Sequence, residues 1–119
     1  IIVEPKTKRP PFLIGGSIDI AIPRAIRRGD GWMPMGIMPS DLKPLVADFN
    51  TKATDAGRSA LEVAIMKTLP LDDINAAVEM AQAYKDAGAT HLVHVQGYDT
   101  PSQYKDLVDT VSEGVIPAL

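Results

Sequence analysis

The sequence contains no cysteine. That excludes a disulfide framework, a thiolate nucleophile and any Cys-ligated metal, and it agrees with a reducing compartment such as the cytoplasm. Long hydrophobic runs are missing too. Charge, Gly or Pro interrupts every apolar stretch within about 10 residues, well short of the roughly 20 that span a bilayer, so no membrane segment is expected. Nor is positive charge in excess: 12 Lys and Arg against 15 Asp and Glu leave a formal net charge of -3. A protein that grips a phosphate backbone concentrates basic residues, so nucleic acid is not an expected partner.

Catalytic signatures are equally scarce. There is no Walker A loop, no GxGxxG, no HExxH and no Ser-His-Asp ordering, which removes support for P-loop, Rossmann, zinc-protease and hydrolase readings. The 2 histidines, His91 and His94, lie three apart on an expected strand and point to opposite faces, so they cannot share a metal. His94 has two readings, an acid or base at a site mouth and a hydrogen-bonded structural residue. No metal site and no catalytic residue is assigned.

What is present is the balance of one globular core, 45% hydrophobic and 23% charged over 119 residues. The chain opens without Met and without a signal-peptide pattern, in the polar stretch Glu4 to Pro11, which reads as a linker entered midway. Residues 1–10 are expected to be that linker and residues 11–119 the domain.

Four strand-helix units follow. Phe12-Leu13-Ile14 ends in Gly15-Gly16, and a helix is expected from Asp19 to Arg28, with Ile18, Ile22, Ala25 and Ile26 facing the core and Gly29 as its stop. Pro23 fits there only in an opening turn. Trp32 to Met35 is a second strand, followed by a helix from Asp41 to Ala56 with Ser40 as N-cap and Gly57 as C-cap glycine. Leu61 to Met66 is a third strand, with Leu61, Val63 and Ile65 on one face. Its helix runs from Asp73 to Ala87, burying Ile74, Ala77, Val78, Ala81 and Tyr84. His91 to Gln96 is the fourth strand. Thr100-Pro101-Ser102-Gln103 is a capping box opening a last helix that buries Tyr104, Leu107, Val108 and Val111 and ends near Gly114.

Short joints between alternating strands and helices favour a parallel sheet with right-handed crossovers, an α/β fold. A (β/α)8 TIM barrel takes about 250 residues, so four units amount to half of one. Half a barrel leaves two sheet edges and an apolar inner face uncovered, to be closed by missing chain, a second copy or a rearranged packing.

Pro10-Pro11-Phe12-Leu13-Ile14-Gly15-Gly16-Ser17, followed by Arg24-Ala25-Ile26-Arg27-Arg28-Gly29-Asp30-Gly31-Trp32, resembles the luciferase-like monooxygenase superfamily. Its branch using the deazaflavin coenzyme F420 is the nearer likeness. Ala56-Gly57-Arg58 and Ala87-Gly88-Ala89-Thr90-His91-Leu92-Val93 extend the resemblance over nearly the whole chain. It implies the C-terminal half of the family barrel, strands five to eight. It also implies a share of an oxidoreductase or monooxygenase site for F420 or FMN, with a missing N-terminal half or a second copy as partner. The alternative is a non-catalytic half-barrel that oligomerises through its open edges.

Gly15, Gly16 and Ser17 are the candidate cofactor residues. Glycines at a strand's C-terminal end let backbone amides approach an anion, and the following helix adds its dipole. In the family's loop, a residue placed as Ser17 is serves the cofactor phosphate. The competing reading is a tight turn with Ser17 capping the helix. Asp19 brings negative charge beside the seat and is itself an N-cap candidate. Trp32 either walls the cofactor pocket or belongs to the core. Met33 and Met35 are pocket candidates and equally good packing residues, while Arg24, Arg27 and Arg28 read as a solvated helix face.

Overall fold

The computed structural model describes residues 8–59 and 61–119. Most of the expected linker therefore lies outside the described residues. The elements alternate as β1 (Leu13–Ile14), α1 (Ile18–Arg28), β2 (Gly31–Trp32), α2 (Pro39–Asp55), β3 (Glu62–Lys67), α3 (Ile74–Asp86), β4 (His91–His94) and α4 (Pro101–Asp109). Beyond α4 the chain continues through a wide π turn, Thr110–Val115, and a short 3-10 turn, Ile116–Ala118.

The strands form one parallel sheet in the order β1-β2-β3-β4. Leu13 aligns with Gly31 and Gly31 with Glu62, while Ala64 aligns with His91 and Met66 with Val93. The sheet is open, with β1 and β4 as its edges. Four parallel strand-helix units in an unclosed sheet make half of a (β/α)8 barrel, as the sequence pattern predicts.

The core lies between the sheet and its first three helices. Trp32, Phe49, Leu42, Val46, Val63, Ile65 and Tyr84 are all buried in it. The Trp32 and Phe49 rings meet at 5.8 Å with a 54° tilt. Period-2 alternation along the strands puts Trp32, Val63 and Ile65 on this helix-facing side, and hence Met66 and Val93 on the other. On that inner side Met66 is 39% exposed and Val93 43%.

Local chemistry explains the boundaries. Helices α2 and α3 close on Gly57 and Gly88 by the same double bond pattern. Arg58 N donates to Ala53 O and Gly57 N to Thr54 O, while Ala89 N donates to Tyr84 O and Gly88 N to Lys85 O. The capping box at Thr100 and Gln103 forms as predicted, with Pro101 in the first turn.

Several expectations are corrected. Ser40 does not cap α2; Met38 does, because Pro39, with no N–H to lose and φ preset, takes the first helical position. Pro23 stands beyond the opening turn of α1. Its missing N–H would have met the carbonyl of Asp19, which lies on an exposed stretch open to water. Gly29 stops α1 in an extended conformation, φ -96°, and is glycine for want of space: a Cβ there would lie 2.7 Å from Ile14 Cγ1. Ile18 is exposed. β2 pairs only as far as Trp32, with one more ladder bond from Met33 N to Ile14 O, since Pro34 has no donor to continue it. β4 stops at His94. Helix α4 buries no residue at all, leaving Tyr104 and Val108 exposed and Leu107 and Val111 half-buried, because no further layer covers its apolar face.

Candidate functional site

Two ends of the sheet differ in how their polar groups are used. At the N-terminal end Asp30 accepts from Phe12 N at 2.7 Å and pairs with both terminal nitrogens of Arg9 at 2.8 and 2.9 Å. The guanidinium and the amide hold its carboxyl below the usual carboxylate range. Gly31 sits against the next strand so closely that a Cβ would come within 2.5 Å of Glu62 O. Arg58 reaches back to donate to Ile26 O at 2.6 Å and Gly29 O at 2.8 Å, satisfying carbonyls left over at the end of α1. The Gly-Asp-Gly-Trp and Ala-Gly-Arg motifs thus serve assembly.

At the C-terminal end polar groups stand open. Gly16 has φ +116°, a conformation that L side chains rarely adopt. Ser17 is the N-cap of α1 by its backbone (φ -61°, ψ 145°), and its carbonyl accepts from Ile20 N and Ala21 N at 3.0 and 2.8 Å. Its hydroxyl makes no capping bond. Asp19 lies in the first turn and is not the cap. Gly15, Gly16 and Ser17 are all exposed. Together they present a hydroxyl, a glycine backbone and first-turn amides beside a helix N-terminus, an arrangement that suits an anion.

Along the same rim a cleft of about 400 Å³ opens at the ends of β2, β3 and β4, lined by Met35, Ile37, Met66, Lys67, Tyr84 and Val95 among others. Tyr84 donates its hydroxyl to Ile37 O at 3.0 Å, and burial raises its pKa. Thr68 donates to Val95 O at 2.6 Å. Met35 thus lines the cleft and Met33 does not. Lys67 was missed by sequence reasoning. Its signal is a cation directly after the apolar run of residues 63–66.

Trp32 is away from this rim. It is fully buried on the helix-facing side and packs on Phe49, and its Nε1 has no hydrogen-bond partner among the described residues. This geometry supports the packing reading, with Trp32 fixing β2 from behind. The histidines stay apart. His94 Nδ1 accepts from Leu69 N at 3.1 Å, so the ring's remaining proton is on Nε2, bonded to Gln96 Oε1 at 3.0 Å. Both ring nitrogens are engaged structurally. His91 is exposed on the inner side, 3.9 Å from Glu62 Oε2. Among the described residues no group of His, Asp and Glu is placed to hold a metal, and no helix is long and apolar enough to cross a membrane.

No protein-family model matches the chain, and no curated protein matches it. Solved structures do. One is an F420-dependent secondary alcohol dehydrogenase in complex with an F420-acetone adduct, with a TM-score of 0.71 and 18% identity over 93% of this chain and 49% of that one. Another is the coenzyme F420-dependent tetrahydromethanopterin reductase from Methanopyrus kandleri, with a TM-score of 0.68 and 16% identity over 90% of this chain and 50% of that one. At such identity the likeness establishes the fold. The chain spans about half the length of the structures it matches.

Proposed function

We propose that this half-barrel supplies the phosphate seat of a flavin-type oxidoreductase, holding F420 or FMN by Gly15, Gly16 and Ser17. The observation that carries the reading is the unspent hydroxyl of Ser17 beside the positive-φ Gly16 at the start of α1. In this reading the Gly15 and Gly16 backbone admits the phosphate closely, the Ser17 hydroxyl and the amides of Ile18 and Asp19 donate to it, and the helix dipole favours its charge. The bound ring supplies hydride or oxygen transfer, while the protein positions it and keeps water away. Both structures named above are F420-dependent, which supports the choice of cofactor class. The remaining strands of a closed barrel come from an N-terminal half or a second copy.

Calorimetric titration of FMN and of F420 onto the chain tests this. Binding of one cofactor is expected, weakened about tenfold or more by Gly16→Val, since a side chain forces the seat out of its conformation. A chain that binds neither cofactor contradicts the proposal. The second reading, an assembly module without a cofactor, draws on the exposed Met66 and Val93 of the inner face and on the unburied α4. It requires an oligomer, so light scattering that finds a stable monomer removes it.

A further inference from the structure

We infer that two copies of this chain close one eight-stranded barrel, each laying the free flank of its α4 against the free flank of α1 in the other copy. The parallel sheet leaves β1 and β4 as open edges, and an unpaired edge is a template for another strand. Eight strands close a parallel barrel. A second copy supplies the missing four, so that β4 of each chain pairs with β1 of the other and no edge is left over.

The helices on those two edges are complementary. Ile18, Ile22 and Ile26 of α1 line a cleft together with Asp48 and Lys52 of α2, which turns that flank towards α2. Ile20, Arg24 and Arg28, four apart, share a different stripe. All of them are exposed, Ile20 by 51%. On α4 and the turn after it, Asp106, Asp109 and Glu113 line a hollow with Ile74 of α3, so that flank faces α3. Tyr104 and Val108, again four apart, lie on another flank and are 53% and 45% exposed. An apolar groove of about 320 Å³ runs between this flank and His94 of β4, lined also by Leu107, Val111 and Ile116. A strand added beside β4 fills it.

Charge points the same way. Helix α1 carries Arg24, Arg27 and Arg28 against Asp19 alone, whereas α4 and the turn after it carry Asp106, Asp109 and Glu113 against Lys105 alone. Opposite net charge draws α1 of one copy to α4 of the other. The Tyr98 and Tyr104 rings, 5.0 Å apart and both more than half exposed, offer faces on which a guanidinium stacks. Pairing α1 with α1 would instead set arginine against arginine. A twofold axis satisfies both α1–α4 contacts at once. The inference rests on the half-barrel fold and not on the flavin-type reading.

Light scattering on the unaltered chain is expected to give twice the chain mass. Since the sequence has no cysteine, introduced thiols report the contact alone. A chain carrying both Ile20→Cys and Tyr104→Cys should form a covalent dimer with a short bis-maleimide, and either substitution alone should not. Val108→Glu and Arg24→Glu should each weaken the dimer about tenfold or more by sedimentation, with the circular dichroism unchanged. A stable monomer overturns the inference, as does an assembly larger than two. Cross-linking by either single cysteine, or none by the pair, overturns the α1–α4 contact whether or not the glutamate variants fold. A dimer that binds neither FMN nor F420 keeps this inference and removes the flavin reading; a monomer that binds FMN does the reverse.

Discussion

The N-terminal end of the sheet and its C-terminal rim are built from the same materials, glycines, a carboxylate and a few cations, and they use them oppositely. At the N-terminal end the carboxylate of Asp30 and the guanidinium of Arg58 are hydrogen-bonded to backbone, and Gly29 and Gly31 make room for close contact. At the rim Gly16 borders open space, and the Ser17 hydroxyl makes no capping bond. Groups already paired within the fold stabilise it; groups left open to solvent are available to a ligand. The contrast locates assembly at one end and binding at the other.

Three substitutions would sharpen that contrast. Gly31→Ala is expected to have the largest effect, about 3 kcal/mol of stability by chemical denaturation, because the new methyl meets the backbone of β3. Cofactor affinity of the fraction that remains folded should be unchanged. An equal loss at both ends would break the comparison. Asp19→Asn acts at the rim in the other direction: removing a negative charge from the first turn of α1 should tighten FMN binding roughly threefold to fivefold. The same change should cost at most about 1 kcal/mol of stability, since a carboxylate there favours the helix. Unchanged or weaker FMN binding would mean the phosphate lies elsewhere.

The smallest effect concerns pH. Because the Asp30 carboxyl titrates below its ordinary value, its contribution to stability is present above the unfolded pKa, about 3.9, and fades as pH falls through the folded value. The melting temperature of Asp30→Asn should therefore converge with that of the unaltered chain below about pH 4. Parallel curves down to the lowest pH would deny Asp30 its role.

The features legible in the sequence are those decided within a few residues. The 3.6-residue stripe of α3, Gly57 beyond the end of α2, and the Thr100 capping box are local, and each is found. Features that depend on distant chain are not decided by local pattern. Tyr104 and Val108 have the spacing of a buried stripe, yet burial needs a facing layer, and α4 has none. Trp32 sits one residue from the uncovered face, and only the register of β2 against β3 decides which way it points. Arg58 stands 32 residues from the carbonyl of Ile26 that it caps, so no local pattern reveals its purpose. Of the candidate site, Gly15, Gly16 and Ser17 lie on the rim as the motif suggests, whereas Lys67 becomes visible only when three strand ends come together.

Amide shift mapping of FMN binding on the nitrogen-labelled chain tests whether the rim is the phosphate seat. Saturable shifts concentrated from Gly15 to Asp19 are expected, with Asp30, Gly31 and Arg58 unmoved. Shifts concentrated at Asp30 and Gly31, or none at Gly16 and Ser17 at saturating FMN, would contradict it.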